Sequence, residues 1–166
     1  MRIYLPSTST LLAKLFESGE YPAVPLTAFA VTPGLREHYL DEDIEELEYA
    51  ASLQAARASL RLLGSDPAAA RRRIVISADV PEEFVAIRDD LDRGVVRISA
   101  TVPMAWCASV HCDDSDAQAT VAEAAILVDA ADLGDPEAEE KVDDADGFEL
   151  CWYATQEVGE LLSEIS

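Results

Sequence analysis

Three apolar runs in the middle of the chain organise the rest. The first, Ile74-Val75-Ile76-Ser77-Ala78-Asp79-Val80, is rich in β-branched residues and reads as a central strand. Val95 to Thr101 reads as the second and the alternating stretch from Met104 to Asp113 as the third, with Val102-Pro103 between them as in a hairpin. In a regular third strand, Met104, Trp106, Ala108, Val110 and Cys112 share one face, and Ala105, Cys107, Ser109, His111 and Asp113 the other. Trp106 is then expected to be buried. Nearer the amino terminus, Arg2 to Pro6 predicts a strand stopped by its proline, and Leu26 to Thr32 another, turned out by Pro33-Gly34.

Between the strands the apolar period becomes helical. Leu11, Leu12, Leu15 and Phe16 fall on one helix face, closed by Ser18-Gly19. Leu35 to Leu63 predicts a long helix, bent near Tyr39 to Asp41. It carries two seams, one running from Ile44 through Leu47, Ala51 and Ala55, the other from Tyr49 through Leu53, Ala56 and Leu60. So wide an apolar face is buried by more than one neighbour. Asp114, Ser115 or Asp116 caps a helix that runs to Asp132, and Asp135-Pro136 opens a short acidic helix ending at Gly147. Phe148, Cys151, Thr155, Val158, Leu162 and Ile165 line a final amphipathic helix.

These elements predict a single α+β domain over residues 1–166, with four to five helices packed on a mixed sheet of about five strands. The two early crossovers are long enough to return parallel, whereas Val95 to Asp113 folds back antiparallel.

Charge narrows the function. The 166 residues carry 33 acidic against 12 basic side chains, a formal net charge of −21. Such a chain repels phosphate backbones and anionic membrane surfaces, so direct nucleic-acid binding and membrane association are disfavoured. The acidity serves either solubility or a negative surface for a basic protein partner, including mimicry of nucleic acid towards a protein that binds it. Cys107, Cys112 and Cys151 are odd in number and lack the spacing of a disulfide scaffold, which suggests a reducing, cytoplasmic setting. Arg2 to Pro6 is not followed by a secretory apolar segment, and no window is long enough to span a bilayer.

Arg2-Ile3-Tyr4-Leu5-Pro6, the segment Pro25 to Pro33, Leu47-Glu48-Tyr49 and Trp152-Tyr153-Ala154-Thr155-Gln156-Glu157 together resemble a family of small uncharacterised actinobacterial proteins. The resemblance spans nearly the whole chain. It implies a cytoplasmic actinobacterial origin and supplies no catalytic residues.

Several residues could carry chemistry. Cys107, His111 and Cys112 suggest a metal set, but strand alternation points Cys112 away from the other two, and a structural zinc site wants a fourth ligand where His38 is the only other histidine. No metal and no cofactor is expected. Cys107 beside His111 could act as nucleophile and base, although no third group orients them. Asp79 closes one expected strand and Asp113-Asp114 another; on adjacent parallel strands they could hold magnesium for a hydrolase or transferase of a phosphorylated small molecule. Asp143 to Gly147 fails as a calcium loop, because the pattern puts Val142 at the first ligand position and Tyr153 at the last. Arg71-Arg72-Arg73 reads as a solvated start to a strand or as a partner of nearby acids.

On the final helix, Trp152 with Gln156 and Tyr153 with Glu157 form two i, i+4 pairs, an aromatic and polar shoulder suited to a partner. With Glu45 and Glu46, and more broadly Asp41 to Glu48 and Asp135 to Asp146, they make an acidic, non-enzymatic interaction module the leading expectation. The magnesium-dependent enzyme is the alternative.

Overall fold

Ile74 to Asp79 does form a strand near the middle of a sheet, with the chain's first strand hydrogen-bonded along its whole length. The computed structural model describes residues 1–39 and 43–165. In chain order these form β1 (Arg2–Ser7), α1 (Ser9–Ser18), β2 (Leu26–Phe29), α2 (Pro33–His38), α3 (Ile44–Ser65) and β3 (Ile74–Asp79). Then follow β4 (Val85–Ile87), β5 (Val95–Ile98), β6 (Cys107–Cys112), α4 (Gln118–Asp132), α5 (Pro136–Asp146), β7 (Cys151–Ala154) and α6 (Val158–Ile165). The α+β class is as expected. Among the described residues the sheet has seven strands in the order β4-β5-β2-β1-β3-β6-β7, and every pairing is antiparallel.

The sheet is therefore antiparallel where a mixed one was expected, for a topological reason. The stretch from Gly19 to Pro25, if extended, reaches about 23 Å, more than the roughly 15 Å length of a ten-residue helix such as α1. It brings the chain back to the end of the sheet from which it left, so β2 runs against β1. The long α2–α3 crossover does connect two parallel strands, β2 and β3, but β1 lies between them and pairs antiparallel with both.

The expected hairpin of β5 and β6 does not form; β5 pairs with β4 and β2, and β6 with β3 and β7. Residues between β5 and β6 are tied instead to the loop after α1. Tyr21 N–H donates to the Val102 carbonyl at 2.8 Å, and Met104 N–H to the Gly19 carbonyl at 2.8 Å. That anchor carries the chain across the sheet end and turns Met104–Trp106 into a 3₁₀ turn, so the strand starts at Cys107. Trp106 is accordingly half-buried and stacks on Phe84, ring centroids 6.1 Å apart.

One sheet face carries Ile3, Leu5, Ile74, Ile76, Val110 and Cys112 beneath Leu12 and Leu15 of α1 and Val158 and Leu161 of α6. The other carries Tyr4, Phe29, Val75 and Val95 beneath Ala51, Ala55 and Ala56 of α3. Small residues on that helix allow close approach to the sheet. The far end of α3 packs through Leu60 and Leu63 against α4 and α5, so the helix is buried by two neighbours, as its wide apolar face implied. Its start is capped by the Asp43 carboxylate, which accepts from Glu45 N–H at 3.0 Å, with Glu45 and Glu46 in the first turn. The expected bend appears as the separation of α2 from α3; Leu40, Asp41 and Glu42 lie outside the described residues.

The final helix begins later than its apolar spacing suggests. Cys151–Ala154 is an edge strand, Thr155–Glu157 a 3₁₀ turn, and α6 starts at Val158. β6 offers an unpaired edge, and a Cys-Trp-Tyr run suits a strand better than a helix interior. The Glu157 carboxylate then accepts from Ala154 N–H at 3.0 Å and starts the turn.

Candidate functional site

β1, β3 and β6 place Tyr4, Val75 and His111 on one sheet face, because Tyr4 pairs with Ser77 and Val75 with His111 in register. α3 lies over β1, β2 and β3, and the sheet continues beyond it to β6 and β7. A cleft remains between the two. Its floor is Tyr4, Val75 and His111; one wall is Tyr49, Ser52, Leu53 and Ala56 of α3; the other is Phe148, Glu149 and Leu150, the segment leading into β7. The cavity measures about 250 Å³.

A buried ion pair sets the second wall. Arg73 and Asp113, 1% and 0% exposed, are joined by Nε to Oδ2 at 2.8 Å and Nη2 to Oδ1 at 2.7 Å. Arg73 backbone N–H also donates to Oδ2 at 2.7 Å, and Nη2 donates to the Phe148 carbonyl at 2.9 Å. The start of β3, the end of β6 and the segment before β7 are thereby joined at one guanidinium.

A second, more open depression continues from the cleft. Tyr39, Asp43, Glu45, Glu46 and Ala50 line it, and it shares Tyr49 and Leu53 with the cleft. Tyr39, Tyr49 and Leu53 are exposed side chains here, and Trp152, 61% exposed, stands on the same sheet face as its cross-strand partner His111.

The charge of this groove is negative. Tyr4 Oη donates to Glu48 Oε2 at 2.8 Å, and burial, then the Glu48 hydrogen bond and charge, push the phenol well above its ordinary range. Burial and the nearby Arg2 charge hold His111 below its ordinary value, so the ring is neutral at pH 7. Its Nε2 lies 3.2 Å from Ser77 Oγ and 3.0 Å from Ser109 Oγ. With the Arg73 charge matched by Asp113, Glu48 and Glu149 leave the lining net acidic.

The three aspartates proposed for magnesium do not meet. Asp79 is exposed and paired with Arg2 at 2.8 and 3.1 Å, at the end of β3 opposite to Arg73 and Asp113. Asp113 gives both carboxylate oxygens to Arg73, and Asp114 accepts from Ser115 N–H at 2.8 Å as a turn cap. The strands concerned are antiparallel, so their carboxyl ends lie apart.

Cys107 and His111 do not meet either. The register slips between Ser77 and Ala78, which pair with Ser109 and Cys107, so Ala108 is passed over as a β-bulge. The bulge turns Cys107 onto the Val110 and Cys112 side, away from His111 on the groove face. Among the described residues no group of three His, Cys, Asp or Glu side chains gathers as a metal set, and no helix is long and apolar enough to cross a membrane.

The aromatic and polar shoulder divides. Trp152 faces the groove side, Tyr153 packs towards the opposite core, and Gln156 and Glu157 belong to the turn, so the two helical pairs do not exist. Glu45 and Glu46 do line the open depression. Arg71 caps the end of α3 by donating to the Leu63, Asp66 and Ala69 carbonyls, and Arg72 donates to the Asp113 carbonyl.

Sequence reasoning missed Tyr4, Phe148, Glu149 and Leu150 as site residues. Tyr49 and Leu53 read from spacing as part of an apolar seam; the structure buries that seam at Ala56 and Leu60 but leaves Tyr49 and Leu53 exposed at the cleft. Sequence reasoning also missed Asp89, whose carboxylate accepts from Thr32 Oγ1 at 2.6 Å, Gly34 N–H at 2.9 Å and Gly94 N–H at 3.0 Å. Burial raises that carboxyl, but these donors outweigh it and hold it below its ordinary value. A Cβ on Gly34 would meet the Asp89 carboxylate at 2.5 Å, so this staple requires glycine.

Comparison with curated proteins and with solved structures yields no match. A family model does match residues 1–162, nearly the whole chain, as the earlier resemblance implied: the protein belongs to a family of unknown function, DUF6912.

Proposed function

We propose that the protein is a cytoplasmic, non-enzymatic binding module, and that the groove between α3 and β6–β7 takes a basic segment of a partner protein. The observation that carries this reading is the pairing of an apolar cleft of about 250 Å³ with an acidic lining. A cleft of that size suits one anchoring side chain. Its rings and aliphatic groups accept apolar surface, while Glu48 and Glu149 attract cationic groups beside it, with Glu45 and Glu46 next along the groove.

Exposed aromatic residues support the same reading, since Tyr and Trp supply contact area at low entropic cost. Tyr49, 53% exposed, lines the cleft from α3, and Trp152, 61% exposed, is the cross-strand neighbour of His111 on the cleft floor. The overall charge of −21 would speed encounter with a basic partner and discourage acidic ones. A magnesium enzyme built on Asp79, Asp113 and Asp114 has no comparable support, because those groups are apart and engaged elsewhere.

The test is a set of defined cationic peptides, each with one central Leu or Phe and no Trp, against sequence-matched acidic controls. A Trp106→Phe variant leaves Trp152 as the reporting indole. Cationic peptides with an anchor are expected to change its fluorescence saturably, and a matched peptide without the anchor to bind at least tenfold more weakly. Equal binding of acidic and basic peptides would reject the reading.

A further inference from the structure

We infer that Cys112 and Cys151 form an oxidative modification site, closing into a cross-strand disulfide when the protein meets a peroxide. The observation is their register: the two are Cα partners on the antiparallel strands β6 and β7, so their side chains leave the same sheet face side by side. Directly opposed residues have Cα atoms about 4.5 or 5.5 Å apart, within the roughly 4.4–6.8 Å that disulfides span. Their Cβ atoms, about 4.5–5.5 Å apart, need to close by up to about 1 Å to reach disulfide geometry. β7 is a short edge strand and, among the described residues, pairs with β6 alone, so it can yield that distance.

The thiols have different surroundings and therefore different parts in the reaction. Cys151 is exposed and Cys112 fully buried, so a solvent oxidant reaches Cys151. Burial, then the charge of Asp113, pushes the Cys112 thiol up to about 12, which makes it a poor first nucleophile. Cys151 loses its thiol proton and the thiolate attacks hydrogen peroxide: an S–O bond forms, the O–O bond breaks, and the leaving hydroxide takes up that proton as water. The Cys112 sulfur then attacks Cys151 sulfur. The S–S bond forms, the S–O bond breaks, and the departing hydroxide takes the Cys112 proton as water. Two thiols are oxidised and one peroxide is reduced to two waters, with no other co-reactant.

Cys107 is not the partner, because it pairs across the bulge with Ala78 at the other end of β6. The bond would fix the first residue of β7, directly after the Phe148–Leu150 wall of the groove. The inference does not depend on the docking proposal, since it rests on strand register alone.

The test treats the reduced, folded protein with one equivalent of hydrogen peroxide, alkylates it under denaturing conditions and maps the peptides by mass. The expected product is monomeric, lighter by two hydrogen atoms, with Cys112 linked to Cys151 and only Cys107 alkylated. Cys151→Ser, an exposed change compatible with folding, should form no internal bond, and Cys107→Ser should form it as the parent does. Retention of all three alkylatable thiols, linkage through Cys107, dimers joined at Cys151, or overoxidation of Cys151 with Cys112 still free would each overturn the inference.

Discussion

Arg73 and Asp113 face each other through two side-chain hydrogen bonds of 2.8 and 2.7 Å, both residues buried, and Arg73 also holds the Phe148 carbonyl at 2.9 Å. A charge left behind in such a place has no water to turn to. Arg73→Met or Asp113→Asn is therefore expected to cost about 3–5 kcal/mol, while the double change to apolar residues of matching volume should recover much of it. Urea unfolding of the two single variants and the double variant measures this. Single variants within about 0.5 kcal/mol of the parent would show that the pair does not hold the groove wall.

The neutral His111 makes stability depend on pH. Its folded value lies below its ordinary one, so the unfolded chain takes up a proton at higher pH than the folded protein does. Its contribution is full above about pH 6.5 and is lost as pH falls from there through the folded value. His111→Gln should flatten the stability curve over that window while leaving the carboxylate-dependent loss at lower pH. Parallel curves for parent and variant would contradict this reading.

Tyr49 and Leu53 are solvent-facing on α3, so Tyr49→Ala and Leu53→Ala should change stability by only about 0.5 kcal/mol or slightly more. The same changes should weaken binding of an anchored cationic peptide by at least tenfold. Thermal unfolding and peptide titration on the same samples separate the two effects. Large destabilisation with unchanged peptide affinity would make these residues core rather than surface.

The sequence showed clearly what local pattern controls. β1, β3, α1 and the long α3 follow from apolar runs, caps and glycine or proline stops. β7 did not, because Phe148, Cys151, Thr155 and Val158 fit a helical stripe as well as they fit the actual strand, turn and helix; the open edge of β6 decided between them. The bulge at Ala108 has no signature in its neighbours, yet it alone reverses the face of Cys107. Glu45, Glu46 and Trp152 were legible as surface groups. Tyr4 and Glu48 were not legible as a pair, being 44 residues apart and joined only when α3 crosses β1.

The central claim is that the acidic, apolar groove binds a cationic segment, and calorimetric titration of one anchored basic peptide at low and high salt tests it most directly. The parent should bind, and raising salt from about 0.05 to 0.5 M should weaken binding as the charges are screened. A Glu45→Gln, Glu46→Gln, Glu149→Gln variant should bind more weakly at low salt and lose most of that salt dependence. Binding unaffected by either salt or the three substitutions, or no binding by any anchored cationic peptide, would contradict the account.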